Sequence, residues 1–117
     1  MGIKAQPYTA TPAEPVHEVP GVTVRWVIGE ADGAPHFAMR IFEVPPGKAS
    51  PFHAHWFEHE VFILAGKGHV KSDKGDLPFE QGYVVFVPGG ETHQFVNDGD
   101  DVLRFICVIP HPRQEAK

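Results

Sequence analysis

Gly47-Lys48-Ala49-Ser50-Pro51-Phe52-His53-Ala54-His55-Trp56-Phe57-Glu58-His59-Glu60, running on through an apolar stretch to Gly66, brings three histidines close together behind a Gly/Pro turn. A second window repeats the logic: Gly82, then Pro88, Gly90, His93 and Asn97. His53 and His55 stand two apart, so on an extended strand their side chains share a face. Imidazole is the commonest metal ligand among side chains. Two same-face imidazoles, joined by others from neighbouring strands, can converge on one ion.

Outward from these windows, short apolar runs alternate with turn residues. Val22–Ile28 ends at Gly29, His36–Val44 at Pro45-Pro46-Gly47, and Glu60–Ala65 at Gly66-Lys67-Gly68. His69–Ser72, Tyr83–Val87, His93–Val96 and Val102–Ile109 follow, each closed by Gly, Pro, Asn or Asp. No useful stretch carries a 3.6-residue stripe, so the pattern predicts an all-β sandwich or barrel. Asn97-Asp98-Gly99 reads as a hairpin turn. In the last run Arg104 should face solvent, turning Ile106 and Val108 outward and Phe105, Cys107 and Ile109 inward. Apolar residues on both faces then suggest a subunit contact. Residues 1–20 hold Pro7, Pro12, Pro15 and Pro20 and read as an extended arm. The expected organisation is an arm over 1–20, a barrel over 21–112 and a tail over 113–117.

The paired windows resemble the two motifs of the cupin superfamily, Gly-x5-His-x-His-x3or4-Glu-x6-Gly and Gly-x5-Pro-x-Gly-x2-His-x3-Asn. The second matches at Gly82, Pro88, Gly90, His93 and Asn97. The first matches at Gly47, His53 and His55 and departs at the usual glutamate, because counting back six intervening residues from Gly66 lands on His59 and not on Glu60. The resemblance spans roughly residues 22–110. It implies a double-stranded β-helix, the jelly-roll barrel of that superfamily, and a divalent transition metal (Mn, Fe, Ni, Zn or Cu) on His53, His55, His59 and His93. His59 and Glu60 point to opposite faces of a strand, so only one can reach the ion without a bulge. Both phases beyond them are apolar and leave the choice open, whereas the spacing to Gly66 favours His59. Nitrogen ligation suits the later metals of the series.

The other four histidines, His17, His36, His69 and His111, lack such a context and are expected at the surface or behind the ligands. Candidates for an apolar lining are Phe37, Met39, Phe52, Trp56, Phe57, Phe86 and Phe95. Cys107 is expected inward, behind the site, as a small core residue. Gly82, Gly89 and Gly90 are assigned positive φ at tight turns, and Asn97 a local turn through its own side chain. No general base can be placed from sequence among Glu43, Glu58 and Glu60.

A chain of 117 residues makes one domain able to bury about two-thirds of its unfolded surface. A formal charge of −5 without a basic run argues against nucleic acid. One cysteine excludes an internal disulfide and a Cys-rich zinc site. The absence of a long apolar run makes a soluble cytoplasmic protein the expectation and a membrane partner not. The functional expectation is a metal-dependent enzyme, a dioxygenase or an isomerase/lyase, acting on a small oxygen-rich organic molecule. The alternatives are a non-catalytic binding or sensing module and a barrel that the metal mainly supports. A homodimer is expected, with the arm covering a neighbour's sheet edge.

Overall fold

The architecture comes from a computed structural model that describes residues 2–111; the expected tail at 113–117 lies outside them. Among the described residues nine strands form two antiparallel sheets. The strands are β1 (Glu14–Pro15), β2 (Thr23–Ile28), β3 (Phe37–Val44), β4 (His59–Ala65), β5 (Lys67–Ser72), β6 (Leu77–Glu80), β7 (Val84–Val87), β8 (His93–Asn97) and β9 (Leu103–Pro110). The larger sheet runs β1-β2-β3-β9-β4-β7 and the smaller β6-β5-β8. The all-β expectation holds. Two short strands, β1 and β6, escaped the reading because each contains a proline, which a sheet tolerates at its edge; both are edge strands.

The core fills the space between the sheets. Val61, Ile63, Leu103, Phe105, Cys107 and Ile109 from the larger sheet meet Val70, Phe79 and Phe95 from the smaller. β9 alternates as expected, with Leu103, Phe105, Cys107 and Ile109 all buried. Phe95 and Phe105 stack across the gap at 4.7 Å between centroids. Leu103 is wholly buried, and its truncation to Ala would cost about 2–5 kcal/mol in lost contacts and cavity.

Asn97-Asp98-Gly99 makes no hairpin. β8 pairs with β5 and β9 with β3 and β4, so this turn carries the chain from one sheet to the other. Asn97 is buried, and its role exceeds a local turn. Its Oδ1 accepts from Gly99 N while Nδ2 donates to Asp101 O and, across the barrel, to Val44 O at 2.9 Å. A buried amide so fully bonded fixes one crossing geometry.

The arm lies on its own barrel. Glu14 and Pro15 pair with Val24 and Thr23, covering the β2 edge of their own sheet, whereas the arm was expected on the sheet edge of a neighbouring chain. Lys4 donates to Val27 O and binds Asp32 at 2.6 Å. Arg25 donates to Thr11 O and lies over the Tyr8 ring. Among the described residues no helix is long and apolar enough to cross a membrane.

Candidate functional site

The segment between β3 and β4 is extended but not a regular strand, contrary to the placement of His53 and His55 on one. It is held by a two-way bridge: His53 N donates to His93 O at 3.1 Å and His93 N to His53 O at 2.9 Å. Gly90 N bonds His55 O at 2.6 Å. Gly89 does not adopt positive φ, unlike Gly82 and Gly90. It is glycine because a Cβ there would stand 2.3 Å from Trp56 O, a steric conflict with backbone that cannot yield. The second window thus clamps the first, and period-2 alternation persists through the irregular stretch. Pro51, His53, His55, Phe57, His59, Val61 and Ile63 are the less exposed partners, while Phe52, Ala54, Trp56, Glu58, Glu60 and Phe62 are exposed.

Four imidazoles gather on the inner face. Ring centroids are 5.4 Å apart for His53–His55 and His55–His59, 4.8 Å for His59–His93 and 6.4 Å for His55–His93. Phe57 stacks flat on His55 at 4.8 Å. His93 Nδ1 donates to the Glu91 carbonyl at 2.9 Å, which leaves Nε2 with its lone pair. His59 Nδ1 lies 3.3 Å from Cys107 Sγ, and donation along that contact leaves Nε2 as the lone-pair nitrogen there too. His59 Nε2 is buried without a hydrogen-bond partner. Burial, then the neighbouring His93, Arg40 and His55, hold His59 down to about 3, and burial lowers His93 from its ordinary value. Both rings are therefore neutral, as ligands must be.

Glu60 faces away from this cluster. It lies on the outer face, where donating its proton in a hydrogen bond to the Glu58 carboxylate, followed by burial and the Glu58 charge, raises it to about 7. The orphaned His59 nitrogen and the imidazole donor set fit a divalent transition metal. Among the described residues no three His, Cys, Asp or Glu side chains are already converged tightly enough to hold an ion. The outermost ring is the loosest, since His53 Nε2 turns to Glu18 Oε2 at 3.6 Å.

The histidines open onto a cavity of about 390 Å³, within the range of small-molecule sites. Its aromatic wall is Trp26, Phe42, Phe95 and Phe105. Of the expected lining only Phe95 belongs to it; Phe57 is buried behind His55. Phe37, Phe52, Trp56 and Phe86 are exposed, and Met39 pairs with Val108 on the outer side of the sheet. The arm supplies the opposite wall through Glu14, Pro15, Val16, His17 and Glu18. His17 thus reaches the mouth, His69 binds Asp98 at 2.7 Å outside, and His111 is buried beside Trp26 and Ala38 and not at the surface.

Three charged residues of the cavity, Glu14, Glu18 and Arg40, went unread in the sequence. Glu18 is the carboxylate that faces the histidines, from an arm with no periodic pattern to flag it. Arg40 lies inside the barrel on β3, opposite Cys107 in register. Its Nη2 donates to Cys107 Sγ at 3.1 Å, and its guanidinium packs over Trp26 and Phe42 at 5.3 and 4.8 Å from their centroids. Cys107 itself is buried as expected, which raises its thiol above the ordinary value.

Residues 40–109 match the family model of the cupin domain, Cupin_2. The chain belongs to the cupin family. This cupin is 36% identical over 80 residues to the oxalate-binding protein of Thermotoga maritima, covering 65% of this chain and 66% of that one. It is 34% identical over 79 residues to the 1-methylthio-D-xylulose 5-phosphate methylsulfurylase of Rhodospirillum rubrum, covering 68% and 51%. The chain therefore spans about half to two-thirds of the length of these curated relatives. Among solved structures, the polyketide cyclase RemF of Streptomyces resistomycificus superposes with a TM-score of 0.86 at 34% identity, over 93% of this chain and 80% of that one.

Proposed function

We propose that this cupin is a metal-dependent enzyme of the isomerase or lyase type, acting on a small, oxygen-rich, enolisable molecule. The observation that carries the reading is the buried, unpartnered Nε2 of His59 beside the His93 and His55 rings at the wall of a small-molecule cavity. His53, His55, His59 and His93 would hold the ion. When bound, a divalent metal supplies Lewis-acid polarisation of a chelating oxygen. The chain's residues do the rest. Trp26, Phe42 and Phe105 exclude water from the inner end of the cavity. Glu18, on the arm next to His53, is placed to take or return a proton at the mouth. What supports this class over a dioxygenase is that one relative is named a polyketide cyclase and another a methylsulfurylase, neither of them an oxygenase by name.

The test combines metal analysis with paired turnover assays of the protein reconstituted with Mn, Fe, Ni, Zn or Cu. Expected are one tightly held ion per chain and anaerobic conversion of a hydroxyketone or keto acid, abolished by chelation. Oxygen uptake with flavonol or β-diketone substrates would move the assignment to a dioxygenase. A second reading, binding without turnover, is favoured by the Thermotoga maritima relative, whose name is that of an oxalate-binding protein; tight ligand binding with no turnover in either assay would select it.

The partner is proposed to be a second copy of the chain. The outer face of the larger sheet exposes Phe62, Val84 and Phe86 beside Ile106 and Val108, a contiguous apolar surface of the kind that associates. With the arm engaged in its own chain, this face is the contact surface.

A further inference from the structure

The electrostatics of the cavity point to a specific substrate feature. On the outer face the arginines of the sheet are paired: Arg25 and Arg104 both bind Glu43, at 3.5 and 2.9 Å. Arg40 differs. Among the described residues it forms no ion pair, and its Nε, like that of Arg25, is buried without a hydrogen-bond partner. A guanidinium is a permanent cation, and removing it from water without a counter-charge is unfavourable by several kcal/mol in general. The fold nevertheless holds it in one orientation. Trp26 and Phe42 cover it, and Cys107 Sγ takes one Nη2 donor. A guanidinium packed against rings keeps only its in-plane edge for bonding, which matches the two oxygens of a carboxylate.

We propose that Arg40 is the recognition residue for a carboxylate on the substrate, so that the ligand is a small 2-oxo or 2-hydroxy acid. The reach supports a carboxylate next to the chelating oxygen. A single atom, Cys107 Sγ, touches both Arg40 Nη2 at 3.1 Å and His59 Nδ1 at 3.3 Å. The guanidinium therefore stands close behind the histidine cluster, and a chelate only a few bonds long spans the two. A phosphoryl group at the far end of a sugar chain would be held elsewhere. The wall carboxylates Glu14 and Glu18 come from the arm, on the opposite side. This inference rests on the proposed function for the chelating oxygen, but the carboxylate contact itself does not require the metal.

The experiment titrates pyruvate and its uncharged analogue 2,3-butanedione into the full chain, following calorimetric heat and the tryptophan emission that a Trp26→Phe control assigns to Trp26, in the metal-free and the Zn-loaded protein. Trp26 packs on the guanidinium and reports directly on its occupancy. Pyruvate should bind about ten- to hundredfold more tightly than butanedione, the range of a charge-assisted hydrogen-bond pair. Arg40→Gln should remove that preference with zinc content unchanged. Arg40→Lys should retain part of it, since it keeps the charge without the planar fork. Equal affinity of the wild type for the two probes overturns the proposal whether or not the variants fold. So does an undiminished preference in Arg40→Gln. A pyruvate preference that depends on Arg40 in a protein that takes up none of Mn, Fe, Ni, Zn or Cu would sustain this inference and sink the metal reading.

Discussion

His59 and Glu60 are neighbours in sequence and occupy opposite sides of one sheet. His59 points into the barrel among His55, His93, Arg40 and Cys107; Glu60 points out, beside Phe86 and Val108 and bonded to Glu58. Both are driven toward their uncharged forms, and the reasons differ. Burial and nearby cationic groups deny His59 a proton. A second carboxylate makes Glu60 keep one. A shifted ionisation therefore marks a candidate ligand in the first case and crowding of like charge in the second. Shift alone does not identify function; the face on which the group sits does.

The largest effect expected from this contrast is on metal binding. His59→Ala should weaken the affinity for zinc by at least about tenfold, whereas Glu60→Gln should leave stoichiometry at one. Metal analysis after dialysis reads both. Emptying of the Glu60→Gln protein with a full His59→Ala protein would reverse the assignment of the two faces.

Association separates the faces next. If the outer face carries the contact, Phe86→Glu should convert a dimer to a monomer by light scattering at micromolar concentration, with metal content unaffected. Phe86 is 62% exposed, so the substitution itself should hardly alter folding. A wild type already monomeric under these conditions would remove the dimer proposal.

Acidity gives the two residues opposite signs. His59 is lowered to about 3 from 6.5, so between these values the unfolded chain binds more protons and stability falls as pH drops. Glu60 is raised to about 7 from 4.5, so the folded chain binds more protons in that window and stability falls as pH rises. In the wild type the two contributions largely offset each other between pH 6.5 and 4.5, so it is the metal-free Glu60→Gln protein that should lose Tm on acidification from pH 6.5 to pH 4. Glu60→Gln should raise Tm modestly at pH 8 and leave it unchanged at pH 4. A flat Tm from pH 6.5 to 4 in the Glu60→Gln protein would mean that His59 is not held neutral by its surroundings.

The smallest signal is chemical. Cys107 is 3% exposed, so a thiol reagent should label native protein far more slowly than unfolded protein. Labelling at the unfolded rate would mean that the inner face is open to solvent.

Much of the fold was legible because strand alternation and turn residues are local. Seven of the nine strands follow from apolar runs ending at Gly, Pro, Asn or Asp. The parity of His53, His55 and His59 also lies in the chain itself, and it persists through a segment that is not a regular strand. The hairpin at Asn97 misread because a turn signal specifies a reversal, not which sheet receives the next strand. The aromatic lining misread because aromatic residues occupy both faces of these strands, and composition does not say which face is the cavity.

By itself the sequence determined an all-β barrel, the clustering windows and the histidines that carry its candidate site, since each depends on spacing along the chain. Only the tertiary structure decided that Arg40 and Glu18 face the cavity and that the arm closes its own barrel. On β3 both parities mix apolar residues with one charge: Arg40 alternates with Ala38 and Phe42, Glu43 with Met39 and Ile41. Pairing of Arg40 with Cys107 across β9 breaks that tie. Long-range register chooses a strand's inner face when its own pattern does not.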